Sequence, residues 1–304
     1  MDIEVRHLRY FVAVAEEGSF TAAARRVHVS QQVLSTQIQQ LETILGVGLL
    51  ERSSRGAAVT AAGASFLEGA RSTLAELDRA ASAARNSAQA IQGVLPVGLS
   101  VAASGDLPTR ILAAFQREEP AVEIRLHSFE LTHPAGGLLD RSTDMAFVRP
   151  PIRAAGIKLA TLAEEPRVFV LPAGHPLAAR DSLRLSDTEA LPWVAAAAAT
   201  DGCHPTAWRD DWLMSPRPGG GQPVIGATAR TIDEWREYVV AGRGISLCPA
   251  SAETFHARPG LTFVPGSGVP ATPLCLAWRA GDTSRALRRF IMVARETAGA
   301  SGVD

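Results

Sequence analysis

Gln31, Gln32, Ser35, Thr36 and Gln39 fall on one side of the stretch Ser30–Leu45, and none of them carries a charge. Amides and hydroxyls at this spacing suit hydrogen bonding to base edges, where Gln pairs with adenine and Ser with several bases. A face built only for solubility would carry Lys and Glu instead. A second group has the types that hold a small carboxylate, with hydroxyls, amide N–H groups at helix starts and one guanidinium. It comprises Ser100, Ala102, Ser128, Arg149, Thr200, Asp201 and Thr228. A third, Asp201, Cys203 and His204, has nucleophile and metal-ligand types. Adjacent side chains seldom converge on one atom, and catalytic groups usually come from separate segments. No second Cys or His recurs at ligand spacing. The sequence therefore predicts no catalytic residue, no metal and no cofactor.

The first group needs a helix to present it. Leu34, Ile38, Leu41 and Leu45 repeat at the period of one buried helix face. Ser30 is a suitable N-cap and Gly46 a suitable C-terminal stop. Before it, a helix over Val5–Glu17 ends at Gly18, and Ser19 caps a second helix over Phe20–Val27. Two short helices joined by a tight turn, the second with a polar outer face, are the helix-turn-helix pattern. LLERSSRGAAVTAAG after Gly46 reads as a small β wing whose tip carries Arg52 and Arg55, placed to touch the backbone or minor groove. From Ala64 to Gln89, Leu67, Ala70, Leu74, Leu77, Ala81 and Ala84 step by three and four, the seam of a two-helix coiled coil. Glu68, Arg71, Glu76, Asp78, Arg79 and Arg85 decorate its outside.

The second group needs strand ends. From Gly93 onward short apolar strands alternate with helices, an α/β pattern with mainly parallel strands. Strands are expected over Val94–Leu99, Val122–Phe129 and Asp144–Val148, with a helix over Asp106–Glu118 and a weak one over Gly136–Arg141. A second set has strands Val168–Leu171, Trp193–Ala196, Val224–Ala227 and Ile245–Pro249, with helices near Thr206–Leu213 and Ile232–Val240. Leu274–Trp278 and Ser284–Thr297 return to complete the first set, giving two lobes crossed near Thr161–Ala163 and Pro265–Gly268. Ligands of such folds sit at the carboxyl ends of strands. Trp235 and Arg230 are further candidates near that cleft.

Three segments, LRYFVAVAEEGSFTAAARRVHVSQ, LSTQIQQLE and LLERSSRGAAVTAAG, resemble the N-terminal domain of LysR-type transcriptional regulators in order and spacing. LPTRILAAFQREEPAVEIRL, EPRVFVLPAGHPL, LPWV and VVAGRGISLCPAS resemble the effector domains of the same family, so the likeness covers nearly the whole chain. It implies an N-terminal all-α winged helix-turn-helix with a long linker helix, then an α/β two-lobed, periplasmic-binding-protein-like effector domain. The boundaries implied are 1–63 for DNA binding, 64–90 for the linker and 91–304 for the effector domain. Lobe I would take about 91–161 and 267–304, and lobe II about 162–266.

By this resemblance Ser30, Gln31, Gln32, Ser35, Thr36 and Gln39 meet bases and phosphates, with Arg52 and Arg55 in the wing. The partners implied are double-stranded DNA, a small anionic effector, further copies of the chain as dimer or tetramer, and RNA polymerase. Two departures stand out. The family usually has Pro at position 32 and Arg at position 36, where this chain has Gln and Thr, and its wing continues as Gly56, Ala57 and Ala58. Over residues 1–63 six Arg face six acids, so no net charge draws this unit to phosphate. These features keep a second reading open, a small-molecule binding protein with a vestigial DNA arm.

Length and composition agree with several domains in a reducing compartment. The chain has 304 residues, a net charge of −1 and three cysteines, too few for a disulfide framework. MDIEVRHLRYF has no apolar secretion core, and no run approaches a membrane span. The expected location is the cytoplasm.

Overall fold

The computed structural model describes residues 3–53, 56–91, 93–103, 105–217 and 221–299. They fall into two units, Met1–Ala81 and Ser82–Asp304.

In the first unit α1 (Val5–Glu17), α2 (Phe20–Arg26) and α3 (Gln31–Leu45) surround one apolar core. Phe11, Val14, Ala23, Leu34, Ile38 and Leu41 are fully enclosed there. The alanines of α2 let the neighbouring helices approach closely. Ser30 accepts from the Val33 N–H at 3.2 Å, and Gly46 closes α3 in the left-handed conformation. Glu42, on the far turn of α3, accepts from the N–H groups of Leu49 and Leu50 at 2.7 and 3.1 Å. That carboxylate aims the chain into the wing, β1 (Leu50–Ser53) paired antiparallel with β2 (Gly56–Val59). The Ala57 N–H then donates to the Gly18 carbonyl at 2.8 Å, which ties the wing to the α1–α2 turn.

α4 (Ala61–Ile91) is the long helix expected from the heptad-like steps. Its use is divided. Leu67, Ala70 and Leu74 pack into the core of the first unit, with Phe66 edge-on to Phe11 at 5.4 Å, and Arg71 pairs with Glu16 at 2.7 Å. Only from Leu77, 40 % exposed, does the seam turn outward. Ala84, Asp78, Arg79 and Arg85 lie outside the residues whose side chains are described.

In the second unit a five-stranded sheet runs β4 (Glu123–Phe129), β3 (Val94–Ser100), β5 (Met145–Val148), β12 (Thr272–Arg279), β6 (Ile157–Glu165). The first three strands are parallel, and β12 is antiparallel to both its neighbours. α5 (Asp106–Glu118) and α9 (Arg285–Gly299) cover one core, with Phe115 and Phe290 rings 4.9 Å apart. The other lobe holds β7 (Arg167–Pro172) between β10 (Ser246–Pro249) and β11 (Leu261–Pro265), all antiparallel. Beside them lies the parallel pair β8 (Pro192–Ala196) and β9 (Val224–Ala229), linked through Trp193 and Ile245. α6 (Ala207–Trp212), α7 (Ile232–Val240) and α8 (Ala252–Phe255) complete it.

Two expectations are corrected. Thr161–Ala163 is not a crossing, because β6 stays paired with β12 through Glu165 and the chain changes lobes at Pro166. Gly136–Arg141 is not a helix but a run of turns, with Gly136 and Gly137 at φ 60° and 82°. Those glycines let the turns lie on the sheet, since a Cβ at Gly98 would stand 2.1 Å from the Gly136 carbonyl oxygen. Gly98→Ala should therefore cost about 1–3 kcal/mol by overpacking, read as a lower urea midpoint. An unchanged midpoint would mean that the turn and β3 separate without penalty.

Candidate functional site

The amide face of α3 is open to solvent. Gln31, Gln32, Thr36 and Gln39 are exposed and Ser35 is half-buried, opposite the enclosed Leu34, Ile38 and Leu41. The Thr36 hydroxyl donates back to the Gln32 carbonyl at 3.0 Å. The Thr21 hydroxyl, at the start of α2, donates to Gln31 Oε1 at 3.0 Å and so orients that amide. Thr21 was missed from the sequence because it lies ten positions from its partner. Val33, 48 % exposed on the first turn, was missed because an apolar residue reads as core. Arg52 lies in β1, and Arg55 lies outside the described residues. The remaining cations are partly neutralised: Arg6 pairs with Glu4 at 2.8 Å, and Arg26 with Glu16 and Glu17 at 2.8 and 3.1 Å.

The two lobes of the second unit meet along a cleft at their strand ends. The Thr200 N–H donates to the Thr132 carbonyl at 2.8 Å. The Asp201 carboxylate accepts from the Ala135 N–H at 2.9 Å and from the Cys203 N–H at 3.1 Å. Glu130 accepts from the Ile232 N–H at 3.1 Å, a carboxylate on the positive end of α7. Ser100 is buried at 2 % exposure, whereas Ser128 and Thr228 are exposed on β4 and β9. Ala102 lines a small cavity that opens into the second lobe. Trp235 lines the same cavity, and Arg230 is exposed beside it in sequence. Glu130, Thr132 and Ala135 were not among the expected residues, because two of them act through backbone groups that have no sequence signature.

Arg149 is a correction. It stands at the end of β5 as expected, but its side chain is fully enclosed and does not offer a free guanidinium. Nε donates to the Ala102 carbonyl at 2.7 Å, Nη1 to the Thr272 carbonyl at 3.3 Å and Nη2 to Glu165 at 2.5 Å. Each of its three nitrogens is engaged inside the protein.

Burial, reinforced by Asp201, pushes the Cys203 thiol well above the ordinary range, and burial does the same to Cys248. Neither is a thiolate nucleophile at neutral pH. Among the described residues no group of His, Cys, Asp and Glu could hold a metal ion, and no helix is long and apolar enough to cross a membrane.

A winged helix-turn-helix unit followed by a two-lobed α/β unit with an interlobe cleft defines a ligand-responsive DNA-binding regulator. The family model of the bacterial regulatory helix-turn-helix protein, lysR family, matches residues 5–64, and that of the LysR substrate binding domain matches 88–299. The Hca operon transcriptional activator HcaR of Escherichia coli K12 is 33 % identical over 97 % of this chain and 98 % of its own length. AlsR of Bacillus subtilis is 32 % identical over 83 % and 82 %. Full-length CbnR, solved with its target DNA, aligns with a TM-score of 0.54 and 29 % identity over 97 % of this chain and 100 % of that one. This chain belongs to the LysR family: it is a DNA-binding transcriptional regulator with an effector-binding domain.

Proposed function

We propose that this regulator reads its operator with Gln32, Ser35, Thr36 and Gln39, flanked by Gln31 and Val33. Ser30, Arg52 and Arg55 would hold the duplex backbone and minor groove. The observation that carries the reading is the exposure of an uncharged amide face on a helix that is capped at both ends and has its opposite face enclosed. Gln supplies paired contacts to adenine, and the Val33 methyls suit the methyl group of thymine. The chain would act as a homodimer or homotetramer in the cytoplasm, contacting RNA polymerase at its promoters and catalysing no reaction.

A small-molecule effector would bind in the cleft between the loops at 100–102 and 200–201, with Ser128 and Thr228 at its outer edges. Binding there would reset the bridges from Thr200 to Thr132 and from Glu130 to α7, and so favour one lobe arrangement over another.

Gln32→Ala and Gln39→Ala should each weaken binding to the operator beside the chain's own gene by roughly tenfold, from the loss of a bidentate base contact. Binding to random duplex should hardly change. Gel-shift titrations against both DNAs decide it, and equal losses on the two would remove the base-reading role.

A further inference from the structure

The amides on the outer face of α3 are not all held alike. Gln32 and Gln39 are exposed, and neither side chain has a hydrogen-bond partner among the described residues. Gln31, the first residue of α3, differs. Its Oε1 accepts from the Thr21 hydroxyl at 3.0 Å, across the turn that separates α2 from α3. Its Nε2 has no partner among the described residues, and the side chain is exposed.

The two ends of a side-chain amide are opposite in character, the oxygen accepting and the nitrogen donating. A free Gln can turn over and suit either polarity in the major groove. Guanine shows two acceptors there, N7 and O6, whereas cytosine shows an amino donor. With Oε1 drawn toward α2 by Thr21, Gln31 meets the groove with its N–H groups leading.

The surroundings fit this use of the contact. Ser19, not Thr21, caps α2, so the Thr21 hydroxyl has no duty to the helix. Arg25 lies one turn along α2 from Thr21 and so on the same face. It is exposed and pairs with no acid among the described residues, whereas its neighbour Arg26 is held by Glu16 and Glu17. The first helix of a helix-turn-helix crosses the phosphate backbone, and an unpaired guanidinium on that edge suits a duplex resting there.

We propose that Thr21 is a positioning residue for base recognition, holding the Gln31 amide so that it selects guanine and rejects cytosine. This rests on the base-reading role proposed above for the face, and adds the polarity of one contact and the residue that sets it.

The test measures binding of the full chain to the operator beside its own gene, and to that operator with each base pair replaced in turn. The parent should prefer guanine over cytosine by roughly tenfold at one half-site position. Gln31→Ala should erase that preference and leave those at other positions. Thr21→Val keeps the branched shape and removes the hydroxyl. It should cut the same preference roughly fivefold, the contribution of one neutral hydrogen bond. Thr21→Ser should restore it. Binding to random duplex, and thermal unfolding followed by circular dichroism, should not change in either Thr21 variant.

Equal losses on operator and random duplex in Thr21→Val would make Thr21 a phosphate contact and overturn the proposal. A preference for cytosine at the Gln31 position would overturn it too, since the amide would then be held the other way round. So would full discrimination in Thr21→Val. Gln32→Ala and Gln39→Ala separate this from the face itself. If they lose operator binding while Thr21→Val loses no discrimination, the face stands and the positioning role falls. If no Gln variant distinguishes operator from random duplex, the base-reading face falls and the positioning role with it.

Discussion

Replacing Arg149 with Ala should remove about 3–5 kcal/mol from the stability of the second unit, the range found when one partner of a buried ion pair is deleted. The Glu165 carboxylate would be left without its cation. Because it is 21 % exposed, water can reach it, and the loss should fall toward the low end. The carbonyls of Ala102 and Thr272 would also lose their donors. Deleting both charges with apolar side chains, Arg149→Met with Glu165→Leu, should recover most of the loss, since no charge is then stranded.

All five tryptophans, Trp193, Trp208, Trp212, Trp235 and Trp278, lie in the second unit, so their fluorescence during urea unfolding reports on it alone. A loss under about 1 kcal/mol would show that the pair is a dispensable surface bridge. The consequence reaches the cleft. Glu165 also accepts from the Ser251 N–H at 3.3 Å, so this pair links the end of β5, the 101–103 turn and the second lobe. Arg149 is thus a positioning residue for the cleft.

The helix-turn-helix was legible because its signals are local. Ser30, Gly46 and the repeat Leu34, Ile38, Leu41 specify α3 without any partner from elsewhere. The effector half was legible where strands are buried on both faces, as in β5 and β7, which read as unbroken apolar runs. β6 was hidden because only Leu162 along it is buried, so an edge strand of Lys, Thr and Glu shows no alternation. Arg149 was placed correctly in the chain and wrongly in its chemistry. An Arg at a strand end looks like a free donor until Glu165, on another strand, is brought beside it. The small cavity lined by Ala102 and Trp235 is assembled from separate elements, and no spacing announces it. The linker seam was legible only as a buried face, for a related reason. An apolar step of three and four states that a face is buried, but not whether by the same domain or by another copy.

Thr36→Arg should turn a site-dependent DNA binder into a tighter and less selective one. Thr36 is exposed on the amide face, and its hydroxyl satisfies only the Gln32 carbonyl within the same helix, so the fold does not need it. Arg is the better helix former. Six acids balance six Arg over residues 1–63, and Arg6 and Arg26 are already paired with Glu, so little positive charge remains for phosphate. One added phosphate contact per chain should steepen the logarithmic salt dependence by about 0.9, or about 1.8 for a dimer, and raise affinity for random duplex roughly tenfold per chain near 0.1 M salt. Thr36→Gln, which adds length without charge, should leave the slope unchanged. The measurement is a salt series on operator and on random duplex. If the Arg variant kept the parent slope on both DNAs, this face of α3 would not lie against a duplex, because a cation placed within reach of phosphate must release counterions.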